Sequence, residues 1–417
     1  MARLEIIGDR KLSGQIKIAG NKNSVLPIMA ASLLTQKTCV LENVPDISDV
    51  AIMVHLLQIC GAKVQRNGSS LKITAKNLKE AQFPSQLTAK LRASILLLAP
   101  ILARVGKIQI GYPGGDVIGR RPLDSHIQVL SALGVEFDAQ KKYLSATSRG
   151  LKGAEIFLQE ASVTATENAL IAASCAGGTT IIKRAAAEPH VVDLCEFLVK
   201  MGAKIEGIGT STLTIIGVDR LNGANHSVRP DHIEVGTFAI LAAATGSKVK
   251  ISPIIKEDLD MILLVLSQFG VNFKIETDCL IVENSRLRAV EKVVTDVWPG
   301  FPTDLMPPMI VLATKAQGVT ILHDWMYESR MFFVDKLLSM GAKVDIADPH
   351  RVFVYGPSKL HGQKLDTPDI RAGIALVIAA LAAKGKSQID KAELIERGYE
   401  NIVERLTALG AKIKRTP

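Results

Sequence analysis

The chain has 417 residues, 47% of them hydrophobic, 22% charged and only 4% aromatic, with a net charge of +9. This composition excludes a disordered chain, and the length favours two or three domains. A basic balance with few aromatic residues and no lysine/arginine run argues against a nucleic-acid binder and for small anionic ligands, although charge alone fits a merely soluble basic surface equally well.

The chain opens with LEIIGDRKLSGQIKIAG, two strand-like runs around turn residues, and then passes near Gly20–Asn21 into a helix of small apolar residues, MAASLL. From there one block recurs along the chain: LLQICGAKV, VLSALGVEF, FLVKMGAKI, VLSQFGVNF, KLLSMGAKV and RLTALGAKI. Its glycines are Gly61, Gly134, Gly202, Gly270, Gly341 and Gly410, spaced 68 to 73 residues apart. Apolar residues before each glycine keep helical spacing, and the residues after it alternate as in a half-buried strand. The block is therefore a helix ending on a glycine that tolerates positive φ, followed by a strand. Each copy also carries an upstream small-residue helix (LAPILA, LIAASCA, FAILAAA, MIVLAT and LVIAALAA in the later copies) and a β-branched run. One repeat thus reads helix, strand, helix, strand, strand.

The last copy stops at Lys412-Ile413-Lys414 without a trailing strand pair, and the opening residues resemble LTIIGVDRLNGANHSV and VFVYGPSKLHGQKL, which close the third and fifth copies. We expect residues 1–21 to complete the sixth repeat, giving one lobe over 22–229 and a discontinuous lobe over 1–21 plus 230–417, with a cleft between them. The five cysteines are odd in number and scattered in apolar segments, as reduced buried thiols are, and the histidines lack ligand spacing, so no disulfide, metal or cofactor is expected. The longest apolar runs are too short for a membrane span, and no leader pattern opens the sequence, so the expected location is cytoplasmic.

Two places in each repeat break the shared pattern with polar residues: the start of the small-residue helix and the loop before the second helix. The loop of the second copy, around 112–122, is the longest and richest in glycine, which suits a mobile segment closing over substrate as well as it suits a plain surface excursion. Lys22, Arg92, Arg121, Arg330, Arg371 and Arg397 fall on these places. Equivalent positions of a closed repeat should converge, and guanidinium groups pair with phosphate and carboxylate oxygens. Asp116, Asp304 and Asp369 lie among them as caps or ion-pair partners, a structural role being the better reading for Asp369.

AGNKNS at 19–24, LRAS at 91–94, PGGDVIGRRPLD at 113–124, AEPHVVD at 187–193, FPTDLMP at 301–307, DIRAG at 369–373 and ERGYE at 396–400 together resemble the UDP-N-acetylglucosamine enolpyruvyl transferase family over essentially the whole chain. The resemblance implies an inside-out α/β barrel fold, two lobes of three repeats each, and transfer of the enolpyruvyl group of phosphoenolpyruvate to the 3′-hydroxyl of UDP-N-acetylglucosamine. That is the first committed step of peptidoglycan synthesis, which ties the chain to cell wall formation, cell shape and division. By matching position it implies that Lys22, Asn23, Arg121 and Arg397 hold phosphoenolpyruvate. Arg92, Arg121-Pro122-Leu123-Asp124-Ser125, Ser162-Val163-Thr164 and Met326 would line the sugar-nucleotide pocket, with Arg330, Asp369 and Arg371 beside the substrates. Asp304 would be the general base and Asp116 would act in C3 protonation or product release. Many family members carry a cysteine at the Asp116 position, which the antibiotic fosfomycin alkylates, so insensitivity to that drug is expected. Thr164 stands where glycine is common.

A sister enzyme acting on shikimate 3-phosphate shares the fold, but its lysine-serine-arginine signature and NAGT-like loop are missing here. A silent sugar-nucleotide sensor would not need Lys22, Asp116, Asp304 and Arg397 together. The expected partners are two small molecules, with no nucleic acid and no membrane; the oligomeric state is left open, a monomer among the options.

Overall fold

The computed structural model describes residues 2–116 and 118–417; Met1 and Val117, the latter inside the loop expected to move, lie outside the described residues. The chain divides into two compact units, one of Gly20–Gly115 with Arg121–Arg229, the other of Met1–Ala19, Asp116–Arg120 and Pro230–Pro417. Each unit holds three four-stranded sheets among the described residues.

In the first unit, the helix Lys22–Ala31 leads to the strand Cys39–Glu42, the helix Ser48–Ile59 and the hairpin Lys63–Asn67/Ser70–Thr74. The pattern returns with helix Leu98–Arg104 before strand Lys107–Gly111 and with helix Val163–Ala173 before strand Thr179–Lys183. All six block glycines adopt positive φ, from 76° at Gly270 to 106° at Gly202, where a side chain would strain the backbone.

Every sheet has a fourth strand beyond the five-element reading of a repeat; one of them, Ser13–Lys17, lies in a strand-like run already read at the start of the chain. Ala81–Phe83 leaves the first repeat and pairs in parallel with Lys107–Gly111 of the second, Glu155–Phe157 pairs likewise with Thr179–Lys183, and Asn225–Ser227 returns to Cys39–Glu42. The three sheets of this unit are thereby linked in a ring. Three residues are too few for a period-2 pattern to register, which is why these strands escape the sequence.

The second unit uses the same device: Lys292–Val294 and Lys364–Asp366 pair with Gly318–His323 and Lys386–Asp390, and Ser13–Lys17 pairs with Lys248–Ser252. Arg3–Ile7 lies between Lys386–Asp390 and Lys412–Thr416, antiparallel to both.

Within each unit the small-residue helices are inside. Every residue of His232–Ala244 is buried, as is nearly all of Ile370–Ala382, which is what helices apolar on all faces require. The sheets bury alternate residues, as in Thr179–Lys183, where Thr180 and Ile182 point inward. Two hydrophobic cores result, each confined to one unit. Among the described residues no helix is long and apolar enough to cross a membrane.

Candidate active site

The starts of the buried helices present the polar residues singled out in the sequence. Asn21 caps the helix Lys22–Ala31, its side chain accepting from the N–H groups of Asn23 and Ser24. That cap fixes the backbone of Lys22, whose Nζ sits 2.9 Å from Oδ2 of the buried Asp49 at the start of the next helix. The sequence reading assigned Asp49 no role; one carboxylate in a loop of acidic and polar residues carries no signal of its own.

In the same unit Arg92 donates from Nη2 to the carbonyl of Pro122 at 3.0 Å. Arg92, Arg121, Pro122 and Leu123 line a groove of about 270 Å³ together with Tyr112 and Ile127. Ser125 Oγ donates to Glu160 at 3.0 Å, and Asp124 opens the helix Asp124–Ala132. Ser162 stands before the helix Val163–Ala173, so Ser162, Val163 and Thr164 occupy its first turn. Thr164 is tied at 3.0 Å to the buried His126, whose pKa burial pushes down to about 3, the charge of Arg92 adding to the effect.

The other unit gathers the remaining residues. Asp304 is held on both oxygens: Arg330 Nη2 lies 3.1 Å from Oδ1, while Arg371 reaches Oδ2 with Nε at 2.9 Å and Nη2 at 2.8 Å. Arg330 and Arg371 are almost fully buried, so their charges depend on these partners. Burial opposes the Arg371 charge, but Asp304 and then Tyr399 outweigh it and push its pKa up. Arg371 Nη1 donates to the buried Tyr399 hydroxyl at 3.1 Å, and that oxygen lies 2.9 Å from Thr237 Oγ1.

Asp369 caps the helix Ile370–Ala382, accepting from the N–H groups of Arg371 and Ala372 at 2.8 and 3.0 Å. Burial pushes its pKa up, against the pull of Arg330 and the helix N–H groups. Met326 is set by Asp324, which accepts from the Met326 N–H at 3.0 Å. Fully buried, Asp324 also accepts from Thr295 and Thr303 and lies 3.8 Å from Arg330 Nε. Sequence reasoning missed Asp324; it sits outside the polar helix starts and loops that drew attention.

The stretch Asp116–Arg120 belongs to this second unit by its contacts. Asp116 Oδ1 accepts from Arg397 Nη1 at 2.9 Å, Ser329 donates to the carbonyl of Ile118 at 3.1 Å, and Arg120 N–H reaches Glu328 Oε2 at 3.3 Å. The structure thus brings Arg330 and Arg371 together on Asp304, pairs Arg397 with Asp116, and sets Arg92 and Arg121 on one groove. No group of three or more side chains suited to a metal ion occurs among the described residues.

Comparison with known proteins gives this geometry a context. Residues 6–406 match the family model described as EPSP synthase (3-phosphoshikimate 1-carboxyvinyltransferase). Over 428 residues the chain is 47% identical to the UDP-N-acetylglucosamine 1-carboxyvinyltransferase of Bradyrhizobium diazoefficiens, covering 100% of this chain and 99% of that protein. The protein of the same name from Treponema denticola is 45% identical, covering 98% of each chain. Among solved structures, the enolpyruvyl transferase NikO from Streptomyces tendae superposes with a TM-score of 0.90 at 25% identity, over 100% of this chain and 99% of that one. EPSP synthase from Acinetobacter baumannii shares the fold, with a TM-score of 0.77 at 17% identity over all of both chains. The repeats, the polar helix starts and these full-length likenesses agree: the chain belongs to the enolpyruvyl transferase family, and within it to the UDP-N-acetylglucosamine 1-carboxyvinyltransferases.

Proposed function

We propose that the protein transfers the enolpyruvyl group of phosphoenolpyruvate to the 3′-hydroxyl of UDP-N-acetylglucosamine and releases inorganic phosphate. The observation that carries this reading is Asp304, a carboxylate held on both oxygens by Arg330 and Arg371 in the same unit as the Asp116–Arg397 pair. Base, acid and anion-binding groups are what an addition–elimination on phosphoenolpyruvate needs.

Asp304 takes the proton from the 3′-hydroxyl as its oxygen bonds to C2, and a proton is added at C3. The clustered cations stabilise the anionic tetrahedral intermediate. Loss of a C3 proton then restores the double bond as the C2–O bond to phosphate breaks. To accept a proton, Asp304 must release a lone pair from one arginine. Asp116 serves as acid at C3, or assists product release, only once its contact with Arg397 opens. Lys22, Asn23, Arg121 and Arg397 hold phosphoenolpyruvate. Arg92, residues 121–125, Ser162, Val163, Thr164 and Met326 receive the sugar nucleotide, while Arg330, Asp369 and Arg371 shape the site around Asp304.

Here the product feeds peptidoglycan synthesis, and through it cell shape and division, in the cytoplasm. With aspartate at position 116 the enzyme is insensitive to fosfomycin. The test is phosphate release from phosphoenolpyruvate with UDP-N-acetylglucosamine, run beside shikimate 3-phosphate. Release with the sugar nucleotide alone is expected; release only with shikimate 3-phosphate overturns the reading.

A further inference from the structure

The buried face behind Thr164 is a built network. His126, 2% exposed on the helix Asp124–Ala132, has one ring nitrogen 3.0 Å from Thr164 Oγ1 and the other 2.9 Å from the amide nitrogen of Asn168. Asn168, fully buried, directs the same amide nitrogen to the carbonyl of Ile95 at 3.1 Å. Ile95 lies in the short helix Arg92–Leu97 that begins with Arg92, so the network joins three segments that carry candidate sugar-nucleotide residues.

Hydrogen-bond polarity follows by elimination. A backbone carbonyl only accepts, so the Asn168 atom facing Ile95 is its NH₂. The second N–H of that group then points at His126 Nδ1, which must accept. A neutral imidazole with an accepting Nδ1 carries its proton on Nε2, and that N–H donates to Thr164 Oγ1. Burial, aided by the Arg92 charge, keeps the ring neutral at any working pH. Thr164 Oγ1 has no further hydrogen-bond partner among the described residues, and its own O–H is left to donate.

We propose that His126 is a positioning residue whose Nε2–H donates to Thr164 Oγ1, committing the threonine hydroxyl to donate to an acceptor oxygen of the bound nucleotide. The inference rests on the function proposed above. It gives the departure from glycine at position 164 a use: the side chain adds a donor that glycine lacks, and the buried imidazole prevents that hydroxyl from acting as a donor toward the protein instead.

The test begins with wild-type turnover of UDP-N-acetylglucosamine; a wild type that releases no phosphate sinks the functional reading, not this one. Independently of activity, ¹⁵N NMR should report His126 as the Nε2–H tautomer with no titration across neutral pH. An Nδ1–H tautomer, or a ring that titrates there, overturns the proposal. Thr164→Val, which keeps the shape, should weaken UDP binding and raise KM for the sugar nucleotide about tenfold or more, with kcat and the KM for phosphoenolpyruvate unchanged. Thr164→Ser should restore both. His126→Phe should raise the same KM, and adding it to Thr164→Val should cost nothing more. Binding of uridine and UDP to Thr164→Val separates the sources: loss with both identifies an acceptor oxygen of the nucleoside, loss with UDP alone a phosphate oxygen. Loss with neither, or full additivity of the two substitutions, overturns the proposal.

Discussion

Arg397 Nη1 and Asp116 Oδ1 lie 2.9 Å apart, so the cation expected to grip phosphoenolpyruvate is engaged by the side chain expected to act on it. If Arg397 grips phosphoenolpyruvate as proposed, the substrate anion and Asp116 compete for one guanidinium. Asp116→Asn should lower the KM for phosphoenolpyruvate a few-fold while kcat falls at least about a hundredfold through loss of the acid. Initial rates of phosphate release at varied phosphoenolpyruvate decide it; a KM that rises with the same substitution would mean the pair does not oppose binding.

All five cysteine thiols have raised pKa values, chiefly through burial; Cys60 and Cys175 are pushed up to about 11 and Cys195 to about 12. A thiol in that form is a poor nucleophile. Native protein should show no fast-reacting thiol toward iodoacetamide at neutral pH, and all five should react in denaturant. Fosfomycin should leave the wild type active and inactivate Asp116→Cys stoichiometrically, with mass spectrometry locating the adduct at position 116.

Arg330 is almost fully buried and faces two carboxylates, Asp304 and Asp324. Replacing Asp324 by Ala leaves Thr295, Thr303 and Met326 N–H without an acceptor and should cost about 3 to 5 kcal/mol, read by urea unfolding. Asp304→Ala should lose activity by a factor of about 10² to 10⁴, and Asp304→Asn should be about as inactive, because an amide can still face the arginines but cannot take the hydroxyl proton. Unchanged turnover in Asp304→Ala would remove it as the base.

Glu188 precedes the helix Pro189–Met201, and burial pushes its pKa up to about 7, from an ordinary value of 4.5. The folded state thus holds a proton that the unfolded chain releases first. Stability from this group is complete below about pH 4.5 and declines as pH rises towards 7, after which the loss is constant. Buried Glu167, raised by burial and by Glu188, adds to the same slope. Unfolding free energies measured between pH 5 and 7.5 should fall with pH in the wild type and fall less in Glu188→Gln; parallel curves would refute the assignment.

How much of this was legible beforehand follows from range. The sixfold repeat and the glycine at each helix end are local patterns, and Gly61, Gly134 and their equivalents have the backbone such patterns demand. The polar helix starts were local too, which is why Asn21, Asp304 and Asp369 stood out. Asp49, Asp324 and His126 were not legible, because each matters through partners beyond its local sequence: Lys22 for Asp49, Thr295 and Thr303 for Asp324, and Asn168 for His126. A single buried carboxylate or imidazole looks like any other until its neighbour is known. The three-residue parallel strands were lost for the same reason, since their identity lies in a pairing and not in a pattern.

Arg3–Ile7 is synthesised well before both strands that flank it, Lys386–Asp390 and Lys412–Thr416. The unit that contains Lys22 and Arg92 has all its strands before Arg229 and can close its own ring of sheets during synthesis, while the unit with Asp304 and Arg397 has to wait for Lys412–Thr416. Nascent protein would therefore pass through a half-built state in which Arg3–Ile7 lacks both of its neighbouring strands, and this is the stage at which chaperones, or a premature stop, would act.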